Sequence, residues 1–332
     1  MRALCGRTAN MSIHIKLLAV LLACFFSASA SAWSEETHMT TGAIAFDDLA
    51  ANDPDVIAEL DQILPAHPHY HELAARAAGL TGRNRTRKIF EWLARWPDDI
   101  NGTEYEHRDW HYELRVVSGR TWLWPFRNGD ASYAFNLNFD TLADRNAPAR
   151  DRAIAIGWLI HIIGDIQQPL HAGHQMTGDF WLTDEAGSLA FVRKAEGGEP
   201  TNLHNYWDQL LDIPNADGKV EGDSTSQYWS NRLVTLWPRE RFGWPVYSGT
   251  PQEQFGQWLD ESLHLARLVG YTGNYLMASS EAENAPLVSA QEIRVARELA
   301  KSRVTTGGYR IADVLRLAVG SDETKLSTST TS

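Results

Sequence analysis

Cysteine is nearly absent from this chain: only two of its 332 residues are cysteines, Cys5 and Cys24. Both precede residue 33, and we expect the first 32 residues to be removed as a signal peptide. The mature chain would then contain no disulfide and no thiol nucleophile. An exported protein of this kind must be held together by its hydrophobic core, by bound metal ions, or by both.

Basic residues are also scarce. The chain has 30 Lys and Arg residues against 42 Asp and Glu, which gives a formal net charge of −12. This balance excludes a protein that binds nucleic acid through basic phosphate contacts alone. A polyanionic substrate would need another source of positive charge. Bound metal ions would supply that charge, and they would use the carboxylates that make the chain acidic.

Only one long apolar run is present, Leu17–Phe26 near the N-terminus. It is too short to cross a bilayer comfortably, and the small residues Ala30-Ser31-Ala32 that follow fit an A-x-A cleavage site. We therefore predict a signal peptide over residues 1–32, cleaved after Ala32, and a secreted or periplasmic mature protein that begins at Trp33. An uncleaved anchor is the alternative. Since no further stretch is apolar enough to span a membrane, we expect no stable membrane association.

Most of the remaining sequence has helical periodicity. Hydrophobic residues make up 43% of the chain, enough for one substantial core, so we predict a mainly α-helical single domain over residues 33–320. Residues 321–332 are rich in Ser and Thr and are predicted to be disordered. Predicted helices cover Glu35–Leu49, Asp55–Leu64, Glu72–Leu80, Thr86–Trp96 (ended by Pro97), Ala149–Gln167, Leu203–Leu211, Gln252–Tyr271, Ala290–Ser302 and Arg310–Ala318. The segments Ala172–Thr201 and Trp229–Pro251 are irregular, and the first is expected to hold a small β-hairpin that includes Leu189–Val192.

The densest chemical signal is the segment from Leu159 to His171. His161 and Asp165 are four residues apart, so they share one face of a helix. The helix is otherwise apolar, and an unpaired carboxylate there would be costly unless a metal ion bound it. His171 follows just after Pro169 ends the helix. A buried hydrogen-bonded pair between His161 and Asp165 is an equally good interpretation of this segment alone.

The same spacing occurs again in Asn202-Leu203-His204-Asn205-Tyr206-Trp207-Asp208, where His204 and Asp208 are four apart. Two His-x3-Asp units and the nearby His171 match zinc or another borderline-soft divalent metal. Calcium and magnesium fit less well, because they prefer shells made only of oxygen.

Three further candidates lie earlier in the chain. Asp98 follows a predicted helix end in Trp96-Pro97-Asp98-Asp99, and His111 stands between aromatics in Asp109-Trp110-His111-Tyr112. The third is the predicted mature terminus. The amine of Trp33 has an ordinary pKa of roughly 7.7–8, so it loses its proton readily beside a dication, and its carbonyl can close a chelate. His38 is near enough in sequence to join the same metal.

Taken in order, these elements resemble the single-strand-specific zinc nuclease family, the fungal and plant nucleases that also act as 3′-nucleotidases. The resemblance covers essentially the whole mature chain. It is carried by Trp33, His38, Trp96-x-Asp98, Trp110-His111-Tyr112, His161-x3-Asp165-x2-Gln168-Pro169-Leu170-His171, Asn202-Leu203-His204-x2-Trp207-Asp208, Trp258-x2-Glu261-Ser262 and Gly308-Tyr309-Arg310-Ile311-Ala312.

The resemblance implies a helical bundle of the zinc phospholipase C and zinc nuclease type that holds three zinc ions. Its ligand sets, carried over residue by residue, overlap at Asp165, which would bridge two ions and orient a zinc-bound hydroxide. Tyr112 stands where the family has an aromatic that stacks on a nucleobase. The three sets are Asp98, His111, His161 and Asp165; His171, His204 and Asp208; and the Trp33 amine and carbonyl with His38 and Asp165.

The chain departs from the family at three places. The usual Gly-Gly-Asn is missing between His171 and His204, and Gly178-Asp179-Phe180-Trp181 stands near its place. Asn101 stands where a Lys is often found, and the disulfides of eukaryotic members are absent.

The function implied is an exported phosphodiesterase that hydrolyses single-stranded DNA and RNA to 5′-phosphorylated products and also acts on 3′-nucleotides. We expect it to act as a monomer. One alternative is a bacterial zinc phospholipase C, which this chain resembles around His161–Ala172. That family has Glu where this chain has Asp208, so the nuclease fits better. The second alternative is an exported zinc-binding protein without catalysis, which the complete set of ligand positions does not favour.

Overall fold

The described part of this computed structural model comprises residues 33–119, 128–212, 225–240 and 248–320. The predicted signal peptide and the predicted C-terminal tail lie outside it. Within these ranges the chain forms eleven α-helices and four short strands. The helices are α1 (Glu35–Asn52), α2 (Pro54–Ile63), α3 (Tyr70–Arg76), α4 (Gly82–Asp99), α5 (Ala131–Ala143), α6 (Ala149–Asp165), α7 (Leu203–Asp208), α8 (Ser226–Leu236), α9 (Pro251–Leu265), α10 (Gly273–Leu276) and α11 (Ala290–Val319). The strands are β1 (Arg115–Gly119), β2 (Gly173–Met176), β3 (Phe191–Arg193) and β4 (Pro200–Asn202).

The mainly α-helical fold with a small β excursion is confirmed. Strands β3 and β4 pair antiparallel, with Phe191 opposite Asn202, inside the segment predicted to hold a hairpin. A second, parallel pair between β1 and β2 was not predicted. Strand β1 follows His111 and strand β2 follows His171, so this pairing brings two distant histidine segments side by side.

Several helix predictions were wrong. Helix α5 was missed, and α8 lies partly in the segment predicted to be irregular. Helix α4 continues past Pro97 to Asp99, because a proline in the last turn removes only one hydrogen bond. Helix α11 is continuous where two helices were predicted.

The core is built around two helices that are buried on nearly all sides. Every residue of α1 from Thr37 to Phe46 is buried, and so is every residue of α6 from Gly157 to Asp165. A helix that is apolar all round belongs at the centre of a domain, where its few polar side chains are shielded from water. His38 on α1 and His161 and Asp165 on α6 are therefore held in the interior.

Glycines allow these two helices to approach α4 closely. A Cβ on Gly42 of α1 would lie 2.9 Å from both the Ala94 Cβ and the Phe90 carbonyl oxygen of α4. A Cβ on Gly157 of α6 would lie 3.0 Å from the ring of Trp96. These contacts fix α4, and hence Asp98 at its C-terminal end, against the two helices that carry the buried histidines.

No helix within the described ranges is both long enough and apolar enough to cross a membrane.

Candidate metal centre

Asp165 lies at the middle of the first group of polar side chains. Its Oδ1 is 3.1 Å from Nε2 of His38, and its Oδ2 is 3.0 Å from Nε2 of His161 and 3.1 Å from Nδ1 of His111. The two oxygens of one carboxylate thus face different histidines. This is the arrangement that a carboxylate bridging two cations requires.

Asp98 completes this group from the end of α4. Its Oδ1 is 3.6 Å from Nε2 of His161 and 3.7 Å from Nδ1 of His111, and its Oδ2 is 3.7 Å from Nε2 of His38. Five side chains from α1, α4, α6 and the turn before β1 therefore converge. They form two overlapping triads that could each hold a metal ion: His38, His161 and Asp165, and Asp98, His111 and His161.

A third triad consists of His171, His204 and Asp208, whose ligand atoms lie within 4.8 Å of one another. Helix α7 places His204 and Asp208 one turn apart, with His204 Nε2 3.5 Å from Asp208 Oδ2. The side-chain amide of Gln168 donates to Asp208 Oδ1 at 3.0 Å and joins this triad to the segment after α6.

Backbone carbonyls orient three of the imidazoles. Nδ1 of His161 lies 2.7 Å from the Ala94 carbonyl oxygen, and Nδ1 of His171 lies 2.8 Å from that of His111. Nδ1 of His204 lies 2.9 Å from the carbonyl oxygen of Ala186. An Nδ1–H that donates to a carbonyl leaves Nε2 as the basic nitrogen, which is how protein histidines are prepared to bind metals.

The donor atoms fit metal ions better than they fit one another. His38 Nε2 and Asp165 Oδ1 are buried and close together, yet neither makes a hydrogen bond. The same is true of the buried His171 Nε2 and Asp208 Oδ2. Buried polar atoms without partners are rare because they cost free energy, whereas imidazole nitrogens and carboxylate oxygens are ordinary zinc ligands.

The electrostatics of the first group depend on Asp165. Burial by itself would raise its pKa, but the charge of His161 and hydrogen bonds from His111 and His161 hold the pKa well below its usual range. Burial opposes a proton on His161, while Asp165 and Asp98 raise the pKa of His161 to about 9. Burial lowers the pKa of His38, and the charge of His161 lowers it further.

In the third triad, burial favours the neutral forms. It lowers the pKa of His171 to about 3 and raises the pKa of Asp208 well above its usual value.

Trp33 lies next to both parts of the centre. Its side chain is fully buried, and its indole N–H donates to the carbonyl oxygen of Gly164 at 3.0 Å, directly before Asp165. The N–H of Ser34 donates to the carbonyl oxygen of Asp208 at 3.1 Å. These two bonds tie residues 33 and 34 to the backbone just before Asp165 and at Asp208. The role of the Trp33 amine and carbonyl as metal ligands stays a prediction.

Tyr112 directly follows His111 and is half-buried. Its hydroxyl donates to Asp109 at 3.1 Å, and the backbone N–H of the next residue, Glu113, donates to the carbonyl oxygen of His171 at 3.0 Å. Tyr112 thus lies at the edge of the centre, beside ligand candidates of both groups. Its contact with a base stays a prediction.

Sequence reasoning missed part of the surroundings of the centre. His67 is buried, with its ring centroid 4.5 Å from that of Trp96. The carbonyl groups that orient the imidazoles and the left-handed turn at Glu185–Gly187 were not predicted, because contacts between distant segments leave no mark in the local sequence. The consecutive small residues Ala186 and Gly187 were the one feature of the sequence that could have indicated this turn.

One protein family matches this chain over most of its length. The sequence model of the S1/P1 Nuclease family matches residues 33–320. Over 132 residues the chain is 31% identical to "Endonuclease 4" of Arabidopsis thaliana, a match that covers 36% of this chain and 38% of that protein. The chain thus spans well under half of the length of this curated relative. The family match covers every residue of the centre described above, and the chain belongs to the S1/P1 nuclease family.

Proposed function

We propose that this protein is an exported, zinc-dependent phosphodiesterase that hydrolyses single-stranded DNA and RNA to 5′-phosphorylated products and also removes the phosphate from 3′-nucleotides. The observation that carries the proposal is the convergence of eight buried or half-buried histidines and aspartates into three triads, two of which share His161, in a member of the S1/P1 nuclease family.

Three zinc ions would be held by these triads and by the Trp33 terminus. Asp98, His111, His161 and Asp165 would hold one ion; His171, His204 and Asp208 another; and the Trp33 amine and carbonyl with His38 and Asp165 the third. Zinc in such sites lowers the pKa of water and stabilises negative charge on a reacting phosphate.

The side chains of the centre divide into a shielded set and an accessible set. Asp165, His38 and His161 have no exposed surface, whereas the side chains of Asp98 and His111 are 19% and 12% exposed. A phosphodiester would therefore approach from the side of Asp98 and His111. Asp165 lies on the side of the centre away from solvent. It would bind two cations at once, and its own charge would be shielded from water.

Tyr112 lies on this accessible side, directly after His111. A base that stacks on its ring would place the adjoining phosphate at the centre. Since a base inside a duplex cannot reach such a ring without leaving its stack, this contact would favour single strands. The acidic chain offers little basic surface, so the bound cations would provide much of the attraction for the phosphate.

The proposal is tested by counting metals and comparing substrates in one preparation. We expect close to three zinc ions per mature chain and hydrolysis of single-stranded DNA, RNA and 3′-nucleotides, with phosphatidylcholine unchanged. One zinc or none would contradict the metal assignment. Preferential cleavage of phosphatidylcholine would indicate a phospholipase, and inertness toward all four substrates would indicate a binding protein.

Two aspartates, one buried in the centre and one exposed outside it, give the matched comparison. Asp165→Asn removes the charge that faces three histidines and should abolish activity and lower the zinc content. Asp99→Asn changes an exposed residue that pairs with Arg95 at 2.6 Å and should retain both. Normal turnover of the Asp165 variant would remove Asp165 from the centre of the mechanism.

We further propose that residues 1–32 are removed on export, that residues 33–320 form the nuclease domain, and that the enzyme is a monomer. The start of the family match at Trp33 supports the cleavage position. Mass spectrometry of the exported chain should find Trp33 at its N-terminus.

A further inference from the structure

A turn of unusual backbone conformation supports His204. Glu185 and Ala186 have φ values of 51° and 57°, and Gly187 follows with 88°. The left-handed region is unfavourable for a residue with a Cβ, so two such residues in succession need surroundings that enforce them. The carbonyl oxygen of Ala186 is the one that orients the imidazole of His204.

The turn also packs directly on the backbone of His204. The carbonyl oxygen of Gly187 accepts from the N–H groups of Leu203 and His204 at 3.1 and 3.3 Å. A Cβ on Gly187 would lie 3.1 Å from the His204 nitrogen and 2.8 Å from a methyl carbon of Leu170. Only glycine fits this position, and any shift of the turn would move His204.

Asp184 anchors this turn to the rest of the fold. Its backbone carbonyl oxygen accepts from the N–H groups of Gly187 and Leu189 at 3.1 and 3.0 Å. Its side chain is fully buried, and Oδ1 accepts from the N–H of Gln175 at 3.1 Å and from the hydroxyl of Tyr271 at 3.3 Å. A buried carboxyl is costly, so its presence at this turn needs a function that offsets the cost.

Tyr271 is itself held by an uncommon element. It follows a five-residue π-helical turn, Ala266–Gly270, at the end of α9, and its N–H donates to the carbonyl oxygen of Ala266 at 2.8 Å. Such turns are rare and occur often at functional sites. The segments at residues 175, 184 and 271 therefore meet at the turn that contacts His204.

We propose that Asp184 is a positioning residue for His204: it fixes the left-handed turn whose Ala186 carbonyl directs the imidazole toward the metal bound by His171, His204 and Asp208. The inference rests on the proposed function, because it assumes that this triad binds zinc. Groups that orient a metal-binding histidine in this way typically change metal affinity about 10–100-fold when they are removed. In the described part of the chain, the hydrogen bonds of the turn reach His204 and no residue of the other two triads, so those triads should keep their affinity.

The test compares zinc dissociation constants, measured by competition with a chelating dye at one pH, for the wild type, Asp184→Ala, Asp184→Asn and Asp179→Ala. Asp184→Ala should weaken one of the three ions by about 10–100-fold. Asp184→Asn should retain most of this affinity, because its amide oxygen can accept the same two hydrogen bonds. Asp179 is exposed on the same loop, so its variant should match the wild type.

The outcomes separate this inference from the proposed function. A wild type that binds no zinc would defeat the proposed function. Three zinc ions in the wild type with unchanged affinities in Asp184→Ala would overturn the role of Asp184, and so would equal weakening of all three ions. A purely structural role would lower the melting temperature while the folded protein still bound each ion with its normal affinity.

Two milder changes decide the question if Asp184→Ala does not fold. Tyr271→Phe removes the hydroxyl that lies 3.3 Å from both Asp184 Oδ1 and the Gly173 carbonyl oxygen, and Gly187→Ala places a Cβ 3.1 Å from the His204 nitrogen. Both should weaken the same single ion, which the absorption spectrum of the cobalt-loaded protein would show as a change in one site. Unaltered binding in both folded variants would overturn the inference.

Discussion

At the residue scale, the centre combines groups that titrate in opposite directions. Asp165 is held ionised by its histidine neighbours, while His161 carries a proton to higher pH than an ordinary histidine. A metal ion must displace that proton, since imidazole binds metals in its neutral form. Without metal, the centre is therefore stabilised by the attraction between protonated His161 and ionised Asp165. A zinc ion would take the place of the His161 proton.

This arrangement predicts a pH dependence of zinc binding. The pKa of His161 is about 9, so the proton is present below that pH and must leave when zinc binds. Because one proton is released, the affinity of the first group of side chains for zinc should fall by about tenfold for each pH unit below 9. Chelator competition between pH 6 and 9 measures the slope. An affinity that stays constant over this range would show that His161 is neutral before zinc binds.

Tyr112 should affect substrate binding and leave the metals unchanged. Stacking of a base on an aromatic side chain contributes about 1–3 kcal/mol, so Tyr112→Ala should raise KM for single-stranded DNA by about 5–150-fold with normal zinc content. Tyr112→Phe keeps the ring and loses only the bond to Asp109, so its KM should stay near the wild-type value. If Tyr112→Ala leaves KM unchanged, the base lies elsewhere.

At the scale of elements, the centre depends on how closely helices α1 and α6 approach α4. These three helices carry His38, His161, Asp165 and Asp98, and glycines remove the Cβ atoms that would hold them apart. The ligand candidates are rigidly placed because they project from packed helices, which hold side chains more accurately than loops do.

Gly42→Ala should therefore disturb both stability and metal binding. The added Cβ meets the Phe90 carbonyl oxygen at 2.9 Å, and this backbone atom cannot move aside easily. Such overpacking costs about 1–3 kcal/mol of unfolding free energy, measured by urea denaturation.

Gly256 on α9 is the matched control for this change. A Cβ there would meet no atom within 4 Å, so Gly256→Ala should stabilise the protein by about 0.5–1 kcal/mol. Equal effects of the two substitutions would contradict the close approach of α1 and α4.

At the scale of the whole molecule, elements near both ends of the described chain pack on the two central helices, α1 and α6. Trp33 is buried against α6, and helix α11 packs on α1, where a Cβ on Gly308 would lie 2.5 Å from the Ile44 side chain. A mature chain without cysteine would thus be stabilised by this packing and by metal ions bound at its N-terminus.

The proposed role of the N-terminus can be tested by extending it. One glycine added before Trp33 displaces the free amine but leaves the indole bond to Gly164 in place. We expect the extended chain to fold and to bind about one zinc ion fewer than the chain that begins at Trp33. Elemental analysis of both forms provides the comparison. Equal zinc content and full activity in the extended chain would show that the terminus is not a ligand.

The sequence by itself predicted the helical class, the hairpin segment and the ligand candidates. Two His-x3-Asp spacings place their members on one helix face whatever the rest of the fold does, because the helical repeat is local. The order of motifs along the chain was sufficient to indicate the family. The continuous α11 shows where local signals fail, since close packing, as at Gly308, can outweigh the cost of glycine in a helix.

Only the tertiary structure decided which candidates meet. The position of Asp165 among three histidines, the carbonyl groups that orient His161, His171 and His204, and the burial of His67 and Asp184 all depend on segments far apart in the chain. Distances between such segments are set by helix packing and by the parallel pairing of β1 and β2, and neither has a periodic signature in the sequence. The chemistry of the centre could therefore be predicted from residue types, whereas its geometry had to come from the fold.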